Sequence, residues 1–555
     1  MKKVHVVWLV VLAAMLGTWV QVFAQAPDTV LVPDMINGDP YGAINKFILG
    51  DTTATGERNN PNRVYMLEAG KMYFLSGTLQ AHFPLTLIGQ EPEEGQKPAI
   101  VTSGVSPSGG TVGRFFKCFD DATFKNIYFQ TCPPTGKGET FQTFQLIADS
   151  ARYVFDNCWV EWGRWLTIRV EGKHTKVYIT DCYFRNLENK KGIYNGRVID
   201  FHNNPVDTLV MINNTEFNCN SFFMQIRNNY VNYARIEHNT IVNLFKWPIQ
   251  WSWMTNAIIS NNIFYNVHSY GEAPSDLPGQ DYDGLVFGIV NVDTLPPHDA
   301  DSLGIQEKDR VIIVNNNCWY FSQEVKDYWA AHADSVMPEP FMNERTQAMF
   351  DADESYPYLE ENNTMNMDPQ FNNVGDLTAF VDWMTKKRAG EATDYWGWDP
   401  DGDRFNVQWP LPEDLSYPTT SPLYTAADGG FPVGDLNWFP DKKSEWEQWT
   451  KTSVATSSHK GVPTAFRLEQ NYPNPFNPTT TIRYALPKAT DVKLVVLNSL
   501  GQQVKTLVAR KQNAGTYAVS WDGTNDQGVQ VPTGVYFYRL AVGDHVFVRK
   551  MLLLK

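Results

Sequence analysis

The chain has 555 residues, of which 43% are hydrophobic and 19% charged, so it can form two or more folded domains and is not disordered by composition. Its formal net charge of −15 argues against nucleic acid as a general partner. Its six cysteines include no Cys-x-x-Cys pair, which argues against a zinc site.

The N-terminus has the parts of a secretory signal peptide. Lys2 and Lys3 precede an apolar run, and the run ends at a small-residue cleavage site, Val22 to Ala24. We therefore expect residues 1–24 to be removed. No later stretch reaches the roughly 18–20 apolar residues needed to span a bilayer, so the sequence predicts an exported, soluble protein.

Segments of similar pattern recur through the middle of the chain, such as "VYITDCYFRN" from 177, "ARIEHNTIVN" from 234 and "AIISNNIFYN" from 257. Aligned on a central apolar residue, they are anchored at Phe124, Phe155, Ile179, Ile212, Ile236, Ile259 and Ile313. Three of the spacings lie within one residue of 24, and such regularity is typical of a solenoid. The segments are rich in β-branched and aromatic residues and break at Asn, Asp and Gly, which predicts a parallel β-helix with three short strands per coil.

Two positions after each anchor comes a residue suited to a tight corner: Asn126, Asn157, Asp181, Asn214, His238, Asn261 and Asn315. Asn tolerates left-handed backbone and bonds to neighbouring main chain, so stacked copies are expected to form a ladder. The next position places Cys158 and Cys182 on adjacent coils. We expect them to stack as small apolar residues, with a disulfide as the alternative.

These repeats resemble those of the right-handed parallel β-helices of pectate lyases and of chondroitinase B-like and alginate lyases. "RVYMLEAGKMYFLSGTL" from 63 resembles their first coils, and "SPLYTAADGGFPVGDLNWFP" at 421–440 is expected to close the far end. The resemblance implies an all-β fold, with a right-handed parallel β-helix over residues 25–440. It also implies contact with long polysaccharides along one parallel sheet, although the fold alone does not fix an activity.

Strand-like segments precede the anchors as "LTIRV" (166–170), "IDFHN" (199–203), "MQIRN" (224–228) and "IQWSW" (249–253). Period-2 alternation predicts two outward columns. One holds Thr167, Asp200, Gln225 and Gln250, and the other holds Arg169, His202, Arg227 and Ser252.

Arg169, His202 and Arg227 are the candidate catalytic residues. Elimination on a uronate needs a base for the proton beside the carboxylate and a cation, an Arg or Ca²⁺, to stabilise the resulting anion. The candidate substrate contacts are Asp200, Gln225 and Gln250, with Trp162 and Trp247 as stacking platforms. The alternative is a solvated face with ordinary salt bridges, including one from Asp200 to a neighbouring Arg, and with the Trp side chains packed in the core.

The loop "DPDGDR" (399–404) places Asp399, Asp401 and Asp403 at alternate positions around a Gly. Oxygen ligands at this spacing suit Ca²⁺. The twelfth position is Pro410 and not the Glu of a full EF-hand, so a plain acidic surface turn is the alternative.

Residues 441–462 are polar and without a clear period, which predicts a linker. Residues 463–555 then alternate as strands do, at 492–497, 517–521 and 535–540, and hold eleven Lys and Arg against five acids.

The segments "NYPNPFNPTT" (471–480), "LNSLGQQV" (497–504), "WDGTNDQG" (521–528), "PTGVYFYRL" (532–540) and "VRKMLLLK" (548–555) closely resemble the C-terminal sorting domain of type IX secretion cargo. The resemblance implies that 463–555 form a β-sandwich recognised by that secretion machinery in a Gram-negative, Bacteroidetes-related bacterium. It also implies passage across the outer membrane, with anchoring or release at the surface. An ordinary sandwich module with a binding role is the alternative.

Together these features favour a secreted or cell-surface β-helix protein that engages polysaccharide. A polysaccharide lyase is the first candidate among enzymes, and a glycoside hydrolase using paired carboxylates is the second. A non-catalytic β-helical adhesin or surface structural protein is the alternative.

Overall fold

The computed structural model describes residues 28–106, 108–132, 141–187, 194–226, 229–250, 253–272, 287–303, 305–333, 340–352, 354–392, 397–400, 407–456, 466–468, 471, 474, 476, 479–486, 490–498, 501–512, 515–543 and 545–553. They belong to two compact units, one ending at Lys442 and the other beginning at Lys443.

Three parallel sheets form the first unit, and the chain visits them in turn. The first sheet has eleven strands: β1 (Thr29–Leu31), β2 (Val64–Leu67), β5 (Leu85–Gly89), β8 (Ala122–Lys125), β11 (Arg152–Asp156), β14 (Thr175–Thr180), β17 (Val206–Ile212), β20 (Tyr230–Glu237), β23 (Trp253–Ser260), β25 (Val311–Asn315) and β27 (Leu359–Asn362).

The second sheet has ten strands: β3 (Met72–Leu75), β6 (Ala99–Ser103), β9 (Ile127–Gln130), β12 (Trp159–Glu161), β15 (Tyr183–Arg185), β18 (Thr215–Cys219), β21 (Thr240–Leu244), β24 (Ile263–Tyr265), β26 (Cys318–Tyr320) and β28 (Met365–Asn366). The third sheet has seven: β4 (Leu79–Ala81), β7 (Arg114–Cys118), β10 (Gln142–Leu146), β13 (Leu166–Val170), β16 (Arg197–Asp200), β19 (Met224–Gln225) and β22 (Ile249–Gln250). Each strand pairs with strands one coil before and after it, so the predicted parallel β-helix is confirmed.

The α-helices of the described residues lie between β1 and β2, in the insertions after β24 and β26, and after β28. They are α1 (Ala43–Leu49), α2 (Pro297–Leu303), α3 (Gln323–Ala331), α4 (Glu344–Phe350), α5 (Leu377–Arg388) and α6 (Pro440–Thr456). Because β23 and β25 are neighbours in the first sheet, the spacing of 54 between the last two anchors is one coil with an insertion.

Helix α6 covers residues 441–456 of the predicted linker, so this part of it is helical and not irregular, and residues 457–462 lie outside the described residues. Pro440 is its first residue, a position where proline is tolerated because the first N–H groups of a helix have no intrahelical partner. The negative charge of Asp441 in the first turn interacts favourably with the helix dipole. The segment has no apolar period of helical spacing, so its sequence did not indicate a helix.

The register corrects two of the seven predicted anchors. Met211, and not Ile212, pairs with Ile179 and Ile236, and Val314, and not Ile313, pairs with Ile259. In both cases two neighbouring residues are apolar, so the pattern alone could not choose between them. The left-handed corner residues on these coils are therefore Asn213 (φ 54°) and Asn316 (φ 53°), and not Asn214 and Asn315.

The correction reveals a continuous amide ladder one position further along, formed by Asn214, Asn239, Asn262 and Asn317. Each of the first three donates its Nδ2–H to the Oδ1 of the next at 2.9 Å, and each of the four also donates to a backbone carbonyl. All four side chains are fully buried. The amides therefore satisfy main-chain groups that the corners would leave unpaired.

A shorter ladder stands at the other end of the second sheet. Asn243 donates to Asn218 at 2.9 Å, Asn266 donates to Asn243 at 3.1 Å, and the backbone N–H of Ser322 donates to Asn266 at 2.8 Å. The three asparagines have φ between 51° and 58°.

Apolar side chains fill the interior. Phe116, Phe124, Phe129, Phe144 and Phe155 form a stack with ring centroids 4.8 to 6.0 Å apart. All six cysteines are buried free thiols, so Cys158 and Cys182 stack on adjacent coils as expected and form no disulfide.

One carboxyl group interrupts this core. Glu216 pairs in register with Phe184 and Ile241, which point into the interior, and it is fully buried. Neither of its oxygens has a hydrogen-bond partner of good geometry within the described residues. Burial raises the pKa of Glu216 well above its usual value, and the Cys219 thiol offsets only part of this effect.

The second unit is an antiparallel sandwich. One sheet contains β29 (Arg467–Leu468), β30 (Thr480–Leu486) and β33 (Gly515–Trp521), and the other contains β31 (Thr490–Asn498), β32 (Gln503–Gln512), β34 (Gly534–Val542) and β35 (His545–Leu553). Side chains from both sheets share one core around Trp521, Tyr484 and Tyr538. The predicted strands and the sandwich are confirmed.

Replacing the central ladder amide should destabilise the solenoid. Asn239→Ala leaves the backbone N–H of Asn214 and the carbonyl of Met211 without these partners, so we expect a loss of about 2–4 kcal/mol in the free energy of unfolding. Urea unfolding measures it. The matched control is Asn256→Ala on the exposed face of β23; equal losses in the two variants would contradict the ladder's role.

Replacing the core carboxyl should stabilise the protein and flatten its pH dependence. The unfolded chain releases the Glu216 proton near pH 4.3, whereas the folded state keeps it until the pH reaches its raised pKa, so stability is lost between these two values by up to about 1.4 kcal/mol per unit. Glu216→Met should remove this slope and raise stability at pH 8 by about 2 kcal/mol. Exposed Glu57→Met is the control, and an unchanged slope in Glu216→Met would refute the assignment.

Candidate functional site

The outer face of the third sheet carries a polar column that runs from coil to coil. The register aligns Gln80, Lys117, Gln145, Arg169, Asp200, Gln225 and Gln250. Ile168 pairs with Ile199 and both lie in the core, so their neighbours point outward. The predicted alignment of β13 is therefore wrong by two residues: Arg169, and not Thr167, shares the column of Asp200.

Arg169 and His202 nevertheless meet. The Arg169 guanidinium lies 3.1–3.2 Å from the two ring nitrogens of His202, because the long side chain reaches across to the next coil. Its Nε lies 2.6 Å from Glu171 Oε1, and its carbon lies 5.4 Å from the centre of the Trp165 ring. Arg227, the third predicted member, lies outside the described residues.

The predicted substrate contacts in the column are mostly covered. Asp200 is buried, forms an ion pair with Arg197 at 2.8 Å and accepts the backbone N–H of His202 at 2.7 Å. Gln225 is also buried. Gln250 pairs with Gln225 through the backbone, and its side chain lies outside the described part. The salt bridge that the alternative interpretation expects from Asp200 is thus present.

Both Trp side chains predicted as platforms are buried. Trp162 is 4% exposed and Trp247 is 1% exposed, with the Trp247 ring stacked on Phe287 at 4.0 Å. A sugar could reach either ring only after neighbouring groups moved. This burial favours the packing interpretation for these two residues.

A different aromatic pair faces outward beside Arg169. Trp165 is half-buried and stacks on Phe141 with centroids 4.2 Å apart, and Phe141 is 48% exposed. The pairing of Gln142 with Leu166 places the two rings on adjacent coils, directly before the strands that begin there. The sequence alone did not reveal Phe141, because Phe141 and Trp165 are one coil apart in the chain and meet only through the pairing of adjacent strands.

A buried charged cluster, also missed in the sequence, lies on the corners that follow the second sheet. Glu272 Oε1 is 3.0 Å from Lys246 Nζ and 3.3 Å from His268 Nε2, and all three side chains are at most 1% exposed. Burial alone would raise the pKa of Glu272, but the hydrogen bond from His268 and the charge of Lys246 lower it to about 2. The rings of Tyr194 and Trp247 lie 5.1 and 5.2 Å from the ammonium, so the cluster is enclosed and braces the corner.

A second buried cluster holds the residues around position 413 against the second sheet. Arg185 forms ion pairs with Glu161 at 2.5 Å and with Glu413 at 3.0 Å, and it donates to the carbonyl of Trp398 at 2.9 Å. The Tyr183 hydroxyl donates to Glu413 at 2.6 Å. Charges this deep are retained only where they are paired, which gives the cluster a structural role.

The predicted calcium loop is mostly outside the described residues. Asp399 follows Trp398 at the Arg185 cluster, whereas Asp401 and Asp403 are not described. In the described ranges no group of three His, Cys, Asp or Glu side chains is placed to hold a metal ion. Nor is any helix there long and apolar enough to cross a bilayer.

Among family models, a match is found within the C-terminal unit. Residues 477–544 match the family model of the FlgD Ig-like domain, in agreement with the observed sandwich. No curated protein matches the chain.

Two solved structures from Porphyromonas gingivalis show limited likeness. The dimeric latent PorU is 20% identical, with 17% of this chain and 10% of that chain covered and a TM-score of 0.15. PorZ, described as an essential surface component of the type-IX secretion system, is 18% identical, with 17% and 13% covered and a TM-score of 0.13. The match thus spans a small part of each of those chains, and at these TM-scores it carries no argument about this protein.

Proposed function

We propose that the β-helix binds polysaccharide across the outer face of its third sheet, at a platform formed by Trp165 and Phe141 beside Arg169 and His202. The observation that carries the proposal is the exposed aromatic stack 5.4 Å from a guanidinium. Rings of this kind pack against the apolar faces of sugars, and the charged and amide groups of the column supply hydrogen bonds to hydroxyls. Parallel strands about 4.8 Å apart repeat such contacts along the solenoid axis.

The same place is where lyase chemistry would occur. His202 would take the proton beside the sugar carboxylate, and Arg169, with the predicted Arg227 or a Ca²⁺ ion, would stabilise the anion. The contact between Arg169 and His202 favours this assignment, whereas the occupation of Arg169 by Glu171 favours the non-catalytic alternative, an adhesin or surface structural protein.

Loss of the platform should weaken binding. Trp165→Ala removes the central ring and should lower the affinity for any polymer bound at this face by about tenfold, or 1.4 kcal/mol. Binding of the purified mature protein is measured on an array of alginate, pectate, glycosaminoglycans and neutral glycans. Tyr233→Ala, which removes a comparably exposed ring from the first sheet, is the control.

Equal affinities for wild type and Trp165→Ala would remove the platform from the proposal. The ultraviolet absorbance of unsaturated uronates, followed in the same mixtures with and without Ca²⁺, separates the two accounts. A rise that Arg169→Ala abolishes supports a lyase, and binding without a rise supports an adhesin.

We further propose that residues 463–555 direct export through the type IX secretion machinery, so that the protein acts at the cell surface or outside the cell. The motif resemblance and the match to an immunoglobulin-like family support this role.

Removal of residues 463–555 should therefore leave the protein in the periplasm. Surface labelling and cell fractionation of the producing bacterium measure this, with full-length Trp165→Ala as the control because it retains the sorting module. Surface delivery of the truncated chain at the full-length level would show that the sandwich is an ordinary binding module.

A further inference from the structure

Glu171 places a protein carboxylate inside the candidate site. Its Oε1 lies 2.6 Å from Arg169 Nε and accepts a hydrogen bond from Gln145 Nε2 at 3.0 Å. The side chains of Arg169 and Glu171 are 17% and 27% exposed, so the pair is within reach of a bound polymer. One edge of the guanidinium is thus already occupied by an anion.

One terminal nitrogen of Arg169 is also engaged by the protein. It lies 3.1 Å from a ring nitrogen of His202, and the guanidinium carbon lies 5.4 Å from the centre of the Trp165 ring. On the next coil, Asp200 is paired with Arg197. A ligand carboxylate at Arg169 would therefore have to displace Glu171 or remain beside it, and like charges at that distance repel.

We propose that Glu171 sets the class of sugar accepted at this coil. By neutralising Arg169, it favours residues with hydroxyl, acetyl or esterified carboxyl groups over residues with a free carboxylate. The inference rests on the proposed function, since it concerns a polymer bound at the same face.

Lys117 does not reverse this preference at Arg169. It stands two coils away in the same column, about 10 Å at the usual strand spacing, and its ammonium lies 4.9 Å from the Phe119 ring. That distance exceeds the screening length of about 8 Å at physiological salt. Among the described residues, the nearest pair of charges at the platform is therefore Arg169 and Glu171.

The test compares polymers that differ only in their carboxylates: pectate and its methyl ester, alginate and its propylene glycol ester, and heparosan and carboxyl-reduced heparosan. The full mature protein should bind the uncharged member of a pair more tightly. Glu171→Gln should raise the affinity for the acidic member by about tenfold and change that for the uncharged member by less than about twofold, because it removes the negative charge beside Arg169. The gain should shrink as salt is added.

Two variants control the comparison. Glu94→Gln makes the same change in charge at an exposed position away from the third sheet and should leave the ratio of affinities as in wild type. Glu171→Asp keeps the charge and should retain the wild-type preference, which a loss of packing alone would not explain.

The outcomes separate this inference from the proposed function. If Trp165→Ala weakens binding but Glu171→Gln leaves every acid-to-ester ratio unchanged, the role of Glu171 is refuted and the binding face stands. Tighter binding of the acidic members by the wild-type protein would likewise refute the role of Glu171 and leave the binding face in place. If neither wild type nor Glu171→Gln binds any of the polymers, the proposed function itself fails.

Discussion

Coil-to-coil hydrogen bonding at the corners is the interaction on which the rest of the β-helix depends. A coil of about 24 residues turns three times, and each turn exposes main-chain groups that no strand satisfies. At the corner between the first and second sheets, one amide per coil bonds both to the main chain and to the next amide, as Asn214, Asn239 and Asn262 show. On these coils the corner therefore keeps the same geometry, and the strands that flank it stay in register.

The later coils of the third sheet depend on that register. The strands of the third sheet become short towards the C-terminal end, and β19 and β22 have only two residues each. Strands of that length cannot hold a column of side chains in line by themselves. There the first sheet, whose β20 and β23 have eight residues, and the amide ladder supply the alignment. On the coils of Phe141 and Arg169 the five-residue strands β10 and β13 hold the third sheet in register themselves.

The sequence predicts the part of the structure that repeats and misses the part that depends on a single register. Spacing near 24 and the Asn corners predict the solenoid because each coil supplies the signal again. The choice between Met211 and Ile212, or the shift of Arg169 by two residues, has no repeated signal, since either choice keeps apolar residues inside. Arg169 and His202 were predicted to be neighbours from a register of β13 that is wrong by two residues. They still meet because the long Arg169 side chain reaches the next coil.

Long-range partners explain the remaining misses. Phe141 meets Trp165, Glu171 accepts from Gln145, and Glu272 meets Lys246 only through contacts between different coils. The pairs that are near in sequence, Arg169 with Glu171 and His268 with Glu272, form no recognised motif that would have distinguished them. The predicted platforms Trp162 and Trp247 failed for the converse reason: a conspicuous local cluster of aromatics is as useful for packing as for binding.

Burial separates the ion pairs that stabilise the fold from the one pair that a ligand could contact. On and after the second sheet, two charged groups are buried, paired and enclosed: Arg185 with Glu161 and Glu413, and Lys246 with Glu272. A substrate could not use them without the cost of unpairing a buried ion. Arg169 and Glu171 are paired as well, but they remain partly exposed on the face with the aromatic platform. A partly exposed pair contributes less to stability than a buried one, and a ligand at this face meets the charge of Glu171 as well as that of Arg169. On this face the ion pair is therefore better suited to selecting a ligand than to holding the fold.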